Sequence, residues 1–108
     1  MDAILRAVSD GSRRTVLDAL RDGDATVSDL AALLPISRPG VSRHLRVLRE
    51  VGLVESRRES QWRVYHLRPD RLAEIDEWIG PYRSLWQHRV DSLHTEIARG
   101  KRERRRSQ

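Results

Sequence analysis

Hydrophobic residues recur at helical spacing several times in the first third of the chain, and each run predicts an amphipathic helix. The first run lies near the N-terminus and consists of Ile4, Leu5 and Val8. A second helix is predicted to end at Gly23 and a third at Pro35, because glycine and proline commonly terminate helices. These runs together predict three short helices ahead of residue 37.

The next predicted helix is both amphipathic and rich in arginine. Ser37 can cap its N-terminus, and Pro39 falls in its first turn, where a missing N–H costs nothing. The pattern predicts a helix over residues 38–51 that ends at Gly52. A second glycine, Gly40, lies in its first turns and is expected to weaken the helix by up to about 1 kcal/mol relative to alanine.

After Gly52 the hydrophobic period changes from helical spacing to strict alternation. Two alternating runs are joined by a short polar loop, which is typical of an antiparallel hairpin, and together they occupy residues 53–67. Helices followed by such a hairpin predict a mainly α fold with a small β-hairpin, the winged helix–turn–helix. The hairpin is its predicted wing, and the helix over 38–51 is its predicted recognition helix.

A narrow apolar stripe follows Pro69. Its main members recur at intervals of seven residues or fall between them, and they are Leu72, Ile75, Ile79, Tyr82, Trp86 and Leu93. A stripe of this kind requires another helix to pack against. It can pack on its own domain, but the size of the aromatic patch favours a homodimer. Residues 69–98 are therefore predicted to form a dimerisation helix or helices.

Gly80 and Pro81 lie in the middle of this segment. A proline inside a helix costs roughly 3 kcal/mol, because it lacks an N–H and collides with the preceding turn. The sequence therefore predicts a break or a sharp kink at this position.

The charges are unevenly distributed along the chain, whose net charge is +5. Residues 1–37 and 64–98 each have a net charge of −2, whereas residues 38–63 carry seven arginines against three glutamates. A basic centre between acidic segments favours a polyanionic partner. Residues 99–108 hold six basic residues against one acid and are predicted to form a disordered basic tail.

The composition excludes several kinds of site. The chain has no cysteine, so it has no disulfide, thiolate metal site or cysteine nucleophile. It has no run of about 18 apolar residues, and its first ten residues are too polar for a signal peptide. We therefore expect a cytoplasmic protein with no membrane partner, in which residues 1–98 form one domain.

The predicted recognition helix has an apolar face and a basic face. The apolar face consists of Val41, Leu45 and Leu48. The helix start and the basic face carry Arg38, Pro39, Ser42, Arg43 and Arg46. A helix N-terminus favours phosphate, and arginine can make a bidentate contact to guanine, so this face suits the major groove of DNA.

Two alternatives remain open for this helix. Its arginines can form a solvated face stabilised by pairs such as Arg46 and Glu50, although Glu50 is the only acid in the helix. His44 lies at the edge of the apolar face, and it can either hydrogen-bond within the fold or reach a phosphate.

The predicted wing carries Arg57, Arg58 and Arg63 near its tip. Such a tip reaches the sugar–phosphate backbone or the minor groove, where contacts position a protein without reading sequence. Trp62 has two interpretations, since it can cover the domain or contact a base or sugar.

The region from Ser9 to Leu67 resembles the ArsR-type transcriptional regulators, and SxxxVSRHLRVLREVGLV, which begins at Ser37, is the specific part. The resemblance implies a homodimeric repressor that binds a palindromic operator in double-stranded DNA. It implies pairing through the first and last helices, which adds Ile4 and Leu5 to the dimer interface. It places groove contacts on Arg38, Pro39, Ser42 and Arg43, and wing contacts on Arg57, Arg58 and Arg63.

Two positions depart from that family's pattern. Ser60 replaces a glycine at the wing tip, so the turn cannot rely on a glycine's positive φ. Gly40 replaces a more usual alanine in the recognition helix.

Some members of the family sense metals, and the candidates here are His88, Asp91 and His94 on the last helix. His88 and His94 are six residues apart and do not share a helix face, so we expect polar surface residues and neither metal nor cofactor. The effector, if there is one, cannot be read from the sequence.

The sequence does not favour an enzyme, because the four histidines are scattered and no phosphate-binding loop is present. A further alternative is an architectural winged-helix module that binds DNA without sequence preference, or binds protein. The basic tail suits it, because counterion release gives affinity without specificity.

Overall fold

The computed structural model of the chain describes residues 1–106, with side chains described as far as Lys101. The helices are α1 (Asp2–Val8), α2 (Gly11–Asp22), α3 (Val27–Leu33), α4 (Arg38–Glu50) and α5 (Ala73–Arg106). The strands are β1 (Val54–Glu59) and β2 (Trp62–Leu67), and a short 3-10 helix covers Pro69–Leu72. Two compact units result, of which the first is Met1–Ile75 and the second begins at Asp76.

The first unit is a winged helix–turn–helix, as predicted. Its core is built from buried side chains of every element from α1 to β2: Ile4, Val16, Leu20, Leu30, Val41, Leu45, Leu48, Leu53, Val54 and Tyr65. The predicted apolar face of α4 is confirmed, since its three members Val41, Leu45 and Leu48 are fully buried. The opposite face of α4 is left exposed.

Side-chain caps define the starts of the helices. Asp10 accepts a hydrogen bond from the N–H of Arg13 at the start of α2. Thr26 and Asp29 form a reciprocal capping box on α3, and the Oγ atom of Ser37 accepts from the N–H of Gly40 on α4. Because each cap satisfies an N–H group that has no partner inside its helix, the turns between the short helices are sharply defined.

Two arginines fasten α1 to α2. The Nε atom of Arg13 donates to the carbonyl of Ala7 at 2.7 Å, and Nη1 of Arg14 donates to the carbonyl of Val8 at 2.7 Å. These carbonyls belong to the last turn of α1, where no N–H group of the helix itself is available to donate to them. Arg13 and Arg14 are therefore explained by helix capping.

The α4 helix ends at a glycine with a left-handed backbone. Gly52 has φ 81, its N–H donates to the carbonyl of Arg49, and the N–H of Leu53 donates to the carbonyl of Leu48. This pattern closes the last turn of the helix and turns the chain into β1. A side chain at position 52 would be strained there.

The wing is a regular antiparallel hairpin. Its register runs from Val54 opposite Leu67 to Glu59 opposite Trp62, so Ser60 and Gln61 form a two-residue turn. Ser60 itself adopts φ 54, a conformation that favours glycine. The turn therefore has a positive φ although no glycine supplies it, and Ser60 carries the strain.

An isolated β-bridge was not predicted from the sequence. Ala25 pairs with Tyr65 through two backbone hydrogen bonds, of 3.0 and 2.8 Å, beside the two-stranded sheet. A single residue has no periodicity, so no pattern in the sequence indicates this pairing.

The α5 helix differs from the prediction in two respects. It continues through Gly80 and Pro81 without interruption, so the expected break is wrong, while the kink remains a prediction. The helix also extends to Arg106, where a disordered tail was expected from residue 99; the last two residues of that tail lie outside the described residues. Among the helices described, none is long and apolar enough to cross a membrane.

Candidate nucleic-acid interface

The exposed face of α4 is a row of arginines without acidic partners. Arg38, Arg43, Arg46 and Arg49 are all exposed. Among the side chains described, none of these four lies within 4.0 Å of a carboxylate, although two acidic residues in the wing and one in α4 are nearby in sequence. Arg46 and Glu50 do not form the pair that a self-neutralised helix face would need. The charge of this face is therefore available to an anion.

The start of α4 offers fewer N–H groups than a typical helix N-terminus. Pro39 has none, the N–H of Gly40 is taken by Ser37 Oγ at 3.2 Å, and the N–H of Val41 by the Ser37 carbonyl at 2.8 Å. Affinity for phosphate at this end must therefore come mainly from the side chains. Arg38, Pro39 and Ser42 are exposed there, as the sequence predicted.

His44 lies at the border between α4 and α2. It is half-buried and lies near Asp10. The pKa of Asp10 is lowered chiefly by the backbone hydrogen bond from Arg13, with a smaller electrostatic contribution from the His44 position. This proximity to the cap of α2 favours a role within the fold over contact with a phosphate.

The basic face of α4 continues onto the hairpin. Ser42, Arg46, Arg49, Glu50 and Tyr65 line one shallow hollow. Since Tyr65 belongs to β2, the recognition helix and the root of the wing share a single concave surface. Arg49 was not among the predicted site residues. Its position one helical turn beyond Arg46 in the sequence could have indicated that it shares the basic face.

The tip of the wing carries two arginines side by side. Arg58 lies directly opposite Arg63, and Arg63 Nη1 donates to Ser56 Oγ at 3.1 Å. Neither guanidinium lies within 4.0 Å of a carboxylate among the side chains described. Like charges directly across a ladder repel each other, so this pair favours an anion placed between them.

Arg57 differs from its neighbours, because carboxylates already surround it. Its Nη1 atom lies 2.8 Å from Asp24 Oδ2, and its Nε atom lies 2.9 Å from Glu59 Oε1. The hydrogen bonds from Arg57 to Asp24 and then to Glu59 raise the pKa of its guanidinium. The prediction that Arg57 contacts DNA is therefore not supported by its surroundings.

Trp62 lies at the end of the wing, opposite Glu59, and its side chain is 52% exposed. It does not lie in the core, so the interpretation that it covers the domain holds only in part. Because Trp62 directly precedes Arg63 on β2, its ring projects from the face of the hairpin opposite to that of Arg58 and Arg63.

The predicted dimer residues fall into three groups. Ile4 has no accessible surface and packs inside its own unit, so it cannot contact a partner and is removed from the predicted interface. The half-buried residues Leu5, Leu72 and Ile75 lie at the edge of the same unit. The residues exposed on α5 are Ile79, Tyr82, Trp86 and Leu93, joined by Trp78, Leu85 and Ile97.

The aromatic rings on α5 are partly ordered against each other. Those of Trp78 and Tyr82 are 5.5 Å apart between centroids and tilted by 48°. Trp86 is 68% exposed one turn further on. A stripe of this kind on a described helix is a large apolar surface open to water.

The histidines of α5 do not assemble into a metal centre within one protomer. Among the described residues, no group of three or more metal-binding side chains has suitable geometry. Asp91, the central candidate between His88 and His94, accepts a hydrogen bond from Gln87 Nε2 at 3.2 Å.

Comparison with known proteins identifies the family. Residues 4–56 match the model of "Bacterial regulatory protein, arsR family". The transcriptional repressor SdpR of Bacillus subtilis is 34% identical over 79 residues, which cover 73% of this chain and 88% of that protein. The chain belongs to the arsR family. It is thus a transcriptional regulator with a winged helix–turn–helix DNA-binding domain.

Solved structures of arsR-family proteins share this architecture. An ArsR-like transcriptional regulator from Rhodococcus sp. RHA1 has 28% identity and a TM-score of 0.72, over 92% of this chain and 90% of that one. The homodimeric winged helix–turn–helix DNA-binding domain of Mb0332 from Mycobacterium bovis has 25% identity and a TM-score of 0.62, over 77% of each chain. The first likeness extends over most of α5 as well as the winged-helix unit.

Proposed function

We propose that this arsR-family protein is a homodimeric repressor that binds a palindromic operator in double-stranded DNA. In this proposal α4 enters the major groove, and the wing lies on the backbone or in the minor groove beside it. Two copies place their recognition helices about one helical turn of DNA apart, roughly 34 Å. The protein acts on the chromosome in the cytoplasm and catalyses no reaction.

The observation that carries the proposal is the pattern of ion pairing. The exposed arginines of α4 and of the wing tip lack carboxylate partners among the described side chains. Arg57 and Arg68, in the same hairpin region, are paired with carboxylates. Unneutralised arginines on the surface of α4 and the wing tip repel their neighbours and therefore cost stability unless an anion binds. DNA supplies regularly spaced phosphates to that surface.

Individual residues receive different roles within the proposal. Arg43 and Ser42 point outward from the first turns of α4, where base edges are read. Arg38 and Pro39, at the start of α4, lie beside the DNA backbone. Arg46 lies one helical turn beyond Arg43. At the wing tip Arg58 and Arg63 hold phosphates and position the protein.

Different observations support the proposed dimer and the proposed repressor activity. The exposed stripe on α5 supplies an apolar surface that a second copy would cover, and the Mycobacterium bovis relative is a homodimer. The proposal of repression follows the activity of SdpR from Bacillus subtilis.

The proposal is tested by selecting genomic fragments on the purified protein at about 150 mM salt and sequencing them. Enrichment of one inverted repeat is the expected result. Equal retention of all fragments, with affinity lost as salt rises, would contradict it and identify an architectural DNA-binding protein instead.

Two substitutions distinguish residues that recognise bases from residues that contact the DNA backbone. Arg43→Ala is expected to lower affinity for the selected repeat by roughly 1–3 kcal/mol and to relax base preference. Arg58→Ala is expected to weaken binding to all duplexes alike and to reduce the slope of log affinity against log salt by about 0.9. Fluorescence anisotropy on the selected repeat and on a scrambled duplex measures both effects. An equal loss on the two duplexes for both variants would contradict this division of roles.

A further inference from the structure

The distal half of the wing has few attachments to the rest of its unit. At the root, Ala25 pairs with Tyr65, and the N–H of Arg68 donates to the carbonyl of Leu53 at 2.8 Å. Beyond the root, residues 56–63 hydrogen-bond mainly within the hairpin. Among the described side chains, the bond from Arg57 to Asp24 is the only side-chain hydrogen bond that joins this distal half to another element.

The path of that bond follows from the register. Ala25 pairs with β2, and β2 pairs with β1, so β2 lies between the segment at Ala25 and β1. Arg57 lies on β1 opposite Val64, and Asp24 directly precedes Ala25. The Arg57 side chain therefore reaches across β2 to bring Nη1 within 2.8 Å of Asp24 Oδ2.

Arg57 and Arg58 point to opposite faces of the hairpin, because successive strand residues alternate. Arg58 shares its face with Arg63, its cross-strand partner. The bond from Arg57 to Asp24 holds one face of the hairpin against the loop before α3. It therefore also sets the direction in which Arg58 and Arg63 project from the other face.

The surroundings of Arg57 disfavour a phosphate. Its guanidinium is in contact with two carboxylates, those of Asp24 and Glu59, so the cluster carries a net negative charge. Glu59 lies on the same strand as Arg57 and aligns its side chain, but it cannot fasten the wing to another element. Among the side chains that the structure describes, Asp24 alone provides that link.

We propose that Arg57 is a positioning residue, which through Asp24 holds the wing at the angle at which Arg58 and Arg63 meet the DNA backbone, and that it does not bind DNA itself. This inference rests on the proposed function. It assigns Asp24, an acidic residue outside the DNA-facing surface, a favourable role in DNA binding.

The sign of the effect of Asp24→Asn tests the inference. Removing a carboxylate from a DNA-binding protein ordinarily strengthens binding, because it reduces repulsion of the phosphates. If Asp24 holds the wing, Asp24→Asn instead weakens binding by about two- to fivefold, the range expected for an exposed ion pair. Fluorescence anisotropy on a random duplex at about 100 mM salt is sufficient, because wing contacts carry no sequence information.

The matched control is Asp22→Asn. Asp22 is an exposed acid two positions away, and its ion-pair partner is Arg21, at 3.9 Å. Its substitution removes the same charge without touching the wing, so binding is expected to stay the same or to strengthen. Weakening by both variants alike would overturn the inference.

A double-mutant cycle provides the second test. Arg57→Gln and Asp24→Asn are each expected to weaken binding, and the double variant should be no weaker than either single variant. The exchanged pair Asp24→Arg with Arg57→Asp should recover part of the affinity. If Arg57 instead bound phosphate, Asp24→Asn would free it and tighten binding, and Arg57→Gln would weaken binding more in the Asp24→Asn background than in the parent protein.

A measurement without DNA separates the two proposals. Amide hydrogen exchange in the hairpin is expected to become faster in Asp24→Asn than in Asp22→Asn. Unchanged exchange would overturn the positioning role whatever the DNA results are. Faster exchange in a protein that binds no duplex would instead contradict the proposed function and leave the positioning role supported.

Discussion

At the scale of the single residue, Gly40 lies where the turn before α4 approaches the helix most closely. A Cβ atom at this position would come within 2.9 Å of Ile36 Cγ2 and within 3.2 Å of Ser37 Oγ. Ser37 is the cap of α4, and Ile36 is a branched side chain packed against the core. Gly40 lowers the helix propensity of α4, but its missing side chain leaves the space that Ile36 and Ser37 occupy.

We expect Gly40→Ala to destabilise the protein. The gain of about 1 kcal/mol in helix propensity is smaller than the cost of overpacking, about 1–3 kcal/mol. Gly100→Ala is the matched control, since a Cβ atom there meets nothing within 4 Å and the substitution should stabilise α5. Urea unfolding measures both. A Gly40→Ala variant stabilised as much as Gly100→Ala would show that Ile36 and Ser37 yield freely.

At the scale of the element, the wing holds a strained turn. Ser60 is the only residue other than glycine with positive φ in the described part of the chain. Such a conformation costs on the order of 1 kcal/mol or more for a residue with a side chain. The hairpin tolerates this cost because its six paired positions fix the two-residue turn.

Ser60→Gly is therefore expected to raise the free energy of unfolding by about 1 kcal/mol. Gln61→Gly, at the neighbouring turn position without positive φ, should lower it by roughly 0.5–1 kcal/mol, because glycine adds entropy to the unfolded chain. Thermal unfolding of the two variants against the parent protein provides the comparison. Equal shifts for both would contradict the assignment of the strain to Ser60.

Elements with a repeating local pattern were predictable from the sequence. The α4 helix was placed to within one residue and its core face was correct, because both depend on spacing within thirteen residues. Pairings between distant residues were not predictable. Ala25 with Tyr65 and Asp24 with Arg57 connect segments more than 30 positions apart, and neither leaves a local signature.

Two other differences have local causes that pattern alone cannot resolve. Ile4 belongs to an amphipathic run whose partner can be its own core or a second copy, and the structure buries it in its own core. Pro81 removes one hydrogen bond from α5, but the helix continues because the remaining bonds on either side are intact. Among the described side chains, Arg58 and Arg63 at the tip of the wing have no carboxylate partner, and their contact with DNA stays a prediction. Arg57 has a different environment, because it is paired with Asp24.

At the scale of the whole molecule, α5 carries a long stripe of exposed apolar side chains. Trp86 is its most exposed large residue, and Ile79, Tyr82 and Leu93 are also exposed. Burial of a tryptophan in a helix pairing contributes heavily to association, because it removes a large apolar area from water.

Trp86→Ala is expected to weaken self-association by about 2 kcal/mol or more, roughly 30-fold in the dissociation constant. Trp62→Ala is the matched control, because Trp62 is similarly exposed but lies on the wing. Sedimentation velocity across a concentration series measures both. A Trp86→Ala variant that sediments like Trp62→Ala would contradict a dimer through α5.

The bridge between Ala25 and Tyr65 also determines when the DNA-facing surface is complete during synthesis. These residues are 40 positions apart in the chain, so the bridge cannot form until nearly all of the winged-helix unit has left the ribosome. The α4 helix needs only local contacts and the helices before it, and such contacts form early, whereas distant strand pairings form late. A nascent chain therefore has its recognition helix before its wing is seated, and a grip on DNA that needs both is acquired only after translation has passed Leu67.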